Sequence, residues 1–306
     1  MRFNPRATSD SSGTSERSGG GGGFPGLGGG GGGGRLTIGG VVVAGVIFLV
    51  AQLTGVDVTG LVNGSGGGGG DQTGQGVSCT GAQANASSDD SCAISLITDS
   101  VQDFWKRTLP DQADGTAYQK IQTIEFSGST SSGCGQAQSA MGPFYCPNDK
   151  RVYIDTDFMH DMLTGQLGAK GGPFALGYVI GHEYGHHIED QLGLLAKMRT
   201  QQGPRSDSVK AELMADCLGG MWAKAAEQTT DSAGNAIIED VTSDDVSRAI
   251  DAAHAVGDDR IQQESGGGVD QESWTHGSSA QREHWFTVGF QGGSLSDCNT
   301  FAAGAL

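Results

Sequence analysis

The stretch Phe174–Gln191, FALGYVIGHEYGHHIEDQ, decides the fold. It carries His182-Glu183-Tyr184-Gly185-His186, a match to His-Glu-x-x-His. Residues four apart share one face of a helix, so His182 and His186 close on one metal ion. Glu183 stands about 100° further round, where it reaches a water on the metal and not the metal itself. Phe174, Ala175, Leu176, Val179 and Ile180 are the apolar residues that bury such a helix. A zinc site asks for imidazoles on a rigid, buried element with one coordination position left open. His187 lies off the His182/His186 face and reads as a solvated or supporting residue. Glu189 shares the face of His186. Three ligands along one straight helix do not surround a metal tetrahedrally, so the third is sought elsewhere.

A second helix follows over Val209–Gln228, VKAELMADCLGGMWAKAAEQ. Glu212 and Asp216 are four apart on it, and Glu212 lies 26 residues beyond His186. Two helices joined by a loop bring one carboxylate to the metal and the other to a ligating imidazole. Zinc with two His and one Glu keeps a fourth place for water. A ligating His donates its other ring nitrogen to a carboxylate, a role open to Asp216. The alternative is a solvated acidic face opposite Leu213, Ala215 and Cys217.

His182-Glu183-x-x-His186 followed by Glu212-x-x-Ala215-Asp216 resembles the gluzincin arrangement of zinc metallopeptidases. Five separated motifs agree in order: Cys134-Gly135, GPFYCPNDKRVYID (142–155), GHEYGHHIED (181–190), ELMADC (212–217) and HGSSAQREHWFTVGFQGG (276–293). Together they resemble the neutral zinc metallopeptidase family, the YpfJ-like proteins, over residues 77–306. The resemblance implies a membrane-tethered or secreted zincin-like domain and names no substrate. The metzincin pattern fails, because Glu189 and Leu192 stand where it needs Gly and a third His.

The chain has 306 residues with a net charge of -17, almost all of it after position 70. That balance argues against nucleic acid as a partner. Residues 1–35 are polar and Gly-rich and read as a disordered cytoplasmic tail. Residues 36–54 contain the uncharged run Leu36–Leu53 and read as a transmembrane helix. Arginines precede this run and the first positive charge after it is Lys106. The positive-inside rule then leaves the N-terminus in the cytoplasm and sends the rest outside, as a single-pass inner-membrane protein. A cleavable signal peptide is the alternative, but the preceding tail is long and no Ala-x-Ala-like site closes the run. Residues 55–76 read as a Gly-rich tether.

All six cysteines follow the apolar run, which suggests three disulfides in an oxidising compartment. Six cysteines allow fifteen pairings. The nearest-neighbour choice is Cys79–Cys92, Cys134–Cys146 and Cys217–Cys298. No Cys-x-x-Cys pair is present, which argues against a cysteine zinc site.

The folded part, 77–306, is expected to be α+β, with a mainly helical core and a small antiparallel sheet. A helix over Ala93–Leu109 is ended by Pro110. Ile121–Phe126 reads as a strand and Ser127–Gly142 as a Gly/Ser-rich loop. Pro143–Cys146 and Arg151–Asp155 read as two strands around a turn, with an edge open to an extended peptide or merely covering the core. Thr156–Gly165 reads as a helix whose His160 is not a ligand. Residues 229–242 and 258–277 read as polar loops between helices at Ser243–Val256 and Ser278–Gly289.

One Zn²⁺ on His182, His186 and Glu212 lowers the pKa of a bound water towards neutrality. Glu183 then takes the water's proton as general base and passes it to the leaving amine. The developing oxyanion needs a further donor. His276 is the first choice, since gluzincins use a downstream His or Tyr; Tyr184 and Tyr178 are alternatives, and His254 and His284 read as structural. The expected function is a membrane-anchored extracytoplasmic zinc endopeptidase acting on protein or peptide. Two alternatives are a catalytically silent zinc domain that binds a cell-envelope partner and a zinc amidase acting on a non-peptide envelope substrate. The sequence fixes no oligomeric state.

Overall fold

Helices begin where the sequence offers a cap. Ser206 accepts from the Val209 N–H, while Thr242 with Asp245 and Ser278 with Gln281 form reciprocal capping boxes. Pro173 stands at the start of the His-Glu-x-x-His helix, where its missing N–H costs nothing. The structure, a computed structural model, describes residues 1–17, 74–156, 159–266 and 268–306. The apolar run 36–54, most of the Gly-rich tether and the His160 side chain lie outside what is described. Among the described residues, no helix is long and apolar enough to cross a membrane.

The helices are α1 (Gly81–Ala86), α2 (Ser91–Gln112), α3 (Pro173–Gln191), α4 (Asp207–Ala225), α5 (Ser243–Ala255), α6 (Asp258–Glu264) and α7 (Ser279–Phe290). The strands are β1 (Arg2–Phe3), β2 (Thr14–Arg17), β3 (Gln75–Gly76), β4 (Gln122–Phe126), β5 (Ser129–Ser132), β6 (Gly135–Gln138), β7 (Phe144–Cys146), β8 (Arg151–Asp155) and β9 (Ile238–Glu239). α3 is central: it packs on α4, α5 and α2, and α4 packs in turn on α7. One main apolar cluster runs from Ile94, Ile97 and Trp105 of α2 through Leu176 and Ile180 of α3 to Leu218, Trp222 and Phe286. A satellite of Ile124, Phe126, Phe144 and Tyr153 lies on the other sheet face. The alternation along β4 gives Ile124 and Phe126 to this satellite and turns Thr123 and Glu125 to the opposite face.

The α+β class holds, but the sheet is not the small antiparallel one expected. It has five strands in the order β3-β2-β4-β8-β7. β2, β4 and β8 run parallel, and only the edge strands β3 and β7 are antiparallel to their neighbours. The long connection from 127 to 150 lets β8 return alongside β4 in the same direction, and the tight turn after Cys146 reverses β7.

Residues 1–17 correct the reading of the first 35 as a disordered tail. β2 lies between β3 and β4, and β1 pairs with β9 in register Arg2↔Glu239. Asn4 N–H donates to Ile237 O at 3.0 Å, Ser9 N–H to Cys79 O at 2.8 Å, and Thr123 N–H to Gly13 O at 2.9 Å. Phe3, Ala7 and Thr14 are buried. Apart from Phe3, the docking is made by backbone pairing and small side chains, which leaves no apolar pattern to read. A strand held inside a sheet shares its compartment, so residues 1–17 and the domain sit on one side of any membrane. An N-terminus on the opposite side of a membrane from the domain does not agree with this docking.

Smaller corrections have local causes. Pro110 lies inside the last turn of α2, which continues to Gln112. The loop at 127–142 holds the β5–β6 hairpin, whose Ser/Thr/Gly sequence shows no apolar alternation. Residues 159–166 form a π-helical turn. The loops expected at 229–242 and 258–277 contain β9 and α6. The three disulfides pair as nearest neighbours: Cys79–Cys92, Cys134–Cys146 and Cys217–Cys298.

Two tests follow from this sheet. The pair Arg2→Cys/Glu239→Cys, on facing residues of an antiparallel ladder, forms a fourth disulfide within one chain, seen as a reductant-sensitive gel shift. Two free thiols, with the one introduced in β1 labelled only from the opposite membrane face, contradict the docking. The second test concerns Glu125, fully buried opposite Glu16 of β2. Burial pushes its carboxyl from the ordinary 4.5 up to about 8, and neither carboxylate oxygen has a hydrogen-bond partner among the described residues. A raised folded value means a contribution present below the unfolded value and lost as pH rises through the folded one. Glu125→Gln is therefore expected to melt above wild type at pH 9 by ~5 °C or more, with the gap closing towards pH 4. Parallel melting curves across this range contradict the assignment.

Candidate metal centre

The centre is built where α3 crosses α4, and close approach is what makes it. A Cβ on Gly185 would lie 2.8 Å from Ala215 Cα, so only glycine lets the two backbones meet there. α4 and α7 touch in the same way, since a Cβ on Gly289 would collide with the Cys217 carbonyl. Cys217 is also tied to Cys298, which pins the C-terminal segment on α4.

His182, His186 and Glu212 are buried, and one ligand atom from each lies within 4.8 Å of the others. His182 Nε2 is 3.3 Å from Glu212 Oε2, and His186 Nε2 is 3.5 Å from Glu212 Oε1. The outer ring nitrogens are both engaged: His182 Nδ1 meets Asp216 Oδ1 at 2.9 Å, and His186 Nδ1 meets Glu189 Oε2 at 2.9 Å. Carboxylates on both Nδ1 atoms turn both Nε2 atoms inward. That donor set fits zinc, a borderline-soft cation that takes imidazole and carboxylate together.

Charge inside this buried volume is balanced pair by pair. Burial raises Glu212, but bonds to His182 and His186 and the charge of His276 hold it well below the usual carboxylate range. Burial likewise works against Asp216, which the Arg282 charge and His182 keep low. Burial pushes Glu189 up to about 7, although His186 and, more weakly, His182 oppose the rise. Burial raises Glu183 too, while His182 and His186 oppose the rise and the Tyr145 backbone N–H donates to its carboxylate.

Tyr145 belongs to the edge strand β7 and locks it to α3. Its hydroxyl donates to Asp190 Oδ2 at 2.9 Å and lies 3.1 Å from His187 Nδ1. His187 is thus buried, not solvated, with Nε2 2.7 Å from the Gln119 carbonyl. Burial takes it down to about 4, so it is neutral at pH 7. Of the possible oxyanion donors, the Tyr184 hydroxyl faces Thr123 in the sheet at 3.1 Å and the Tyr178 hydroxyl donates to Asp216 at 2.7 Å. His276 is buried with Nδ1 3.0 Å from Asp258 Oδ1. Asp258 Oδ2 also collects the backbone N–H groups of Thr275, His276 and Gly277. His284 is exposed on α7, and His254 of α5 faces Arg260 at 3.4 Å.

Sequence reasoning missed Glu189, Asp258 and Arg282. Glu189 carried a signal, since it stands three residues after His186 on the same face. Arg282 Nε donates to Asp216 Oδ2 at 2.8 Å, a contact across 66 residues that nothing local announces.

Two histidines of one helix and Glu212 of the helix that crosses it make a candidate His₂Glu metal site. The comparisons agree. Residues 1–301 match the family described as "Putative neutral zinc metallopeptidase", and the chain belongs to that family. It is 40% identical to YpfJ of Escherichia coli strain K12 over 272 residues, 86% of each chain. It is 45% identical to Rv2575 of Mycobacterium tuberculosis strain H37Rv over 229 residues, 74% of this chain and 75% of the relative. No solved structure matches. The match begins at residue 1, in keeping with β1 and β2 being part of the domain.

Proposed function

We propose that this protein is a zinc-dependent endopeptidase whose catalytic domain works outside the cytoplasm. The observation that carries this reading is the buried His182–His186–Glu212 cluster with Glu183 beside it. When bound there, zinc supplies Lewis acidity, lowering the pKa of water and polarising a carbonyl. Glu183 acts as the general base. Its raised pKa suits a group that takes a proton from water and returns it to a leaving amine. The Tyr145 N–H orients that carboxylate from the edge strand. His276 donates to the oxyanion through Nε2 as an imidazolium, whose Nδ1–H donates to Asp258. Asp216 and Glu189 hold the ligating imidazoles in one tautomer.

The substrate is an extended peptide laid along β7, the strand at the end of the sheet. The three disulfides support an oxidising, extracytoplasmic location. A single crossing by residues 36–54 would part residues 1–17 from the sheet they pair with, so any attachment through that run leaves both of its flanks on the side of the domain.

The test uses the full chain, since trimming to residue 77 deletes β1, β2 and β3 from the fold. Purified in detergent, it is expected to hold about one zinc and to cleave an unstructured protein. Glu183→Gln is expected to keep the zinc and lose ~10²–10⁴-fold in rate. Zinc without any cleavage overturns the peptidase reading in favour of a binding domain or a non-peptide amidase.

A further inference from the structure

We propose that Arg282 is a positioning residue for the metal centre, acting on His182 through Asp216. The inference rests on the metal centre proposed above. Arg282 is buried on α7, one helix further out than any ligand. Its guanidinium grips Asp216 in a fork, Nε to Oδ2 at 2.8 Å and Nη2 to Oδ1 at 3.0 Å. Asp216 Oδ1 is the atom that faces His182 Nδ1. Tyr178 donates to the same oxygen. Nη2 also lies 3.3 Å from His182 Nδ1 and 3.6 Å from Glu212 Oε2. Three helices therefore converge on one carboxylate: α3 through Tyr178 and His182, α4 through Asp216 itself, and α7 through Arg282.

Two effects of this guanidinium on a bound cation have opposite signs. As a positive charge close to Glu212 it repels the metal, so its removal would tighten binding. As a rigid fork it fixes the plane of Asp216, which fixes the tautomer and rotation of His182, so its removal would loosen binding. The second effect wins on this geometry. The Arg282 charge is largely cancelled by Asp216 at hydrogen-bond distance, which leaves a small dipolar field. Orientation of the imidazole is not cancelled by anything. Nor does the other ligating histidine have a matching clamp: Glu189 accepts from His186 through Oε2, and its Oε1 is buried without a hydrogen-bond partner among the described residues. Arg282 thus makes His182 the better-held of the two imidazoles. A lysine in its place supplies charge without the fork.

The experiment is a double-mutant cycle on the full chain. Zinc affinity is read by competition with a chromophoric chelator, and cobalt-loaded protein is read by its visible spectrum. Arg282→Met and Asp216→Asn are each expected to weaken zinc ~10–100-fold. The double variant is expected to be no weaker than the worse single one, because both changes break the same link. Arg282→Lys is expected to recover only part of the loss and to alter the cobalt bands. Unchanged or tighter zinc binding in Arg282→Met overturns the proposal, as does a full repeat of its penalty on top of Asp216→Asn. Should Arg282→Met fail to fold, because it strands a buried carboxylate, Arg282→Lys decides: wild-type affinity and spectrum overturn the proposal, and a loss that disappears in the Asp216→Asn background carries it. A wild-type chain that binds no zinc removes the metal centre itself, a result distinct from zinc binding that ignores Arg282.

Discussion

The close crossing of α3 and α4 is the constraint on which the rest depends. At Gly185 and Ala215 the two backbones come nearer than any side chain allows. Only at that spacing do carboxylates on the second helix reach imidazoles on the first, with Glu212 between the two Nε2 atoms and Asp216 behind His182. α7 then follows the same rule against α4 and brings Arg282 and the His276 turn to the site. The glycines of these helices lower intrinsic helix propensity by about 1 kcal/mol each. Burial of Trp222, Phe286 and Tyr184 around the crossings offsets this, at ~1.5–3 kcal/mol for each large side chain.

Packing this tight leaves the site little solvent contact, and that sets the electrostatics. Around the candidate metal site His182, Glu183, His186, Glu189, Glu212 and Asp216 are buried within two helices. Left unpaired, each would be costly. The structure pairs all but one: Glu212 with two histidines, Asp216 with Arg282 and His182, Glu189 with His186. Glu183 is the exception, touched by a backbone N–H from β7 and held above its ordinary pKa by burial. The group with the least compensation is the one the proposed chemistry needs to take up and release a proton. The edge strand that touches it is pinned by Tyr145 on one side and by Cys146–Cys134 on the other, so the cleft wall and the base move as one piece.

Much of the site was legible because its chemistry is periodic. His182, His186, Glu212 and Asp216 stand four apart in pairs, and helix geometry alone puts each pair on one face. Glu189 obeyed the same rule but was considered only as a ligand, not as a support. Arg282 and Asp258 were invisible, since Arg282 meets a carboxylate on another helix and Asp258 meets the 275–277 loop, and no local pattern marks them. In the fold, long apolar helices were readable to within a few residues. The polar strands were not: β2 (TSER) and the β5–β6 hairpin (STSS and GQAQ) are mostly polar and small residues held by ladder bonds, so composition read them as tail and loop. Pro110 misled in the opposite sense, because the last turn of α2 tolerates it.

The central claim is that zinc is held by two imidazoles and one carboxylate, with no cysteine. X-ray absorption on the zinc-loaded full chain tests this directly. The account predicts a shell of nitrogen and oxygen at ~2.0–2.2 Å with imidazole outer-shell scattering, replaced or lost in Glu212→Gln. Sulfur at ~2.3 Å, or a shell indifferent to Glu212→Gln, would contradict it.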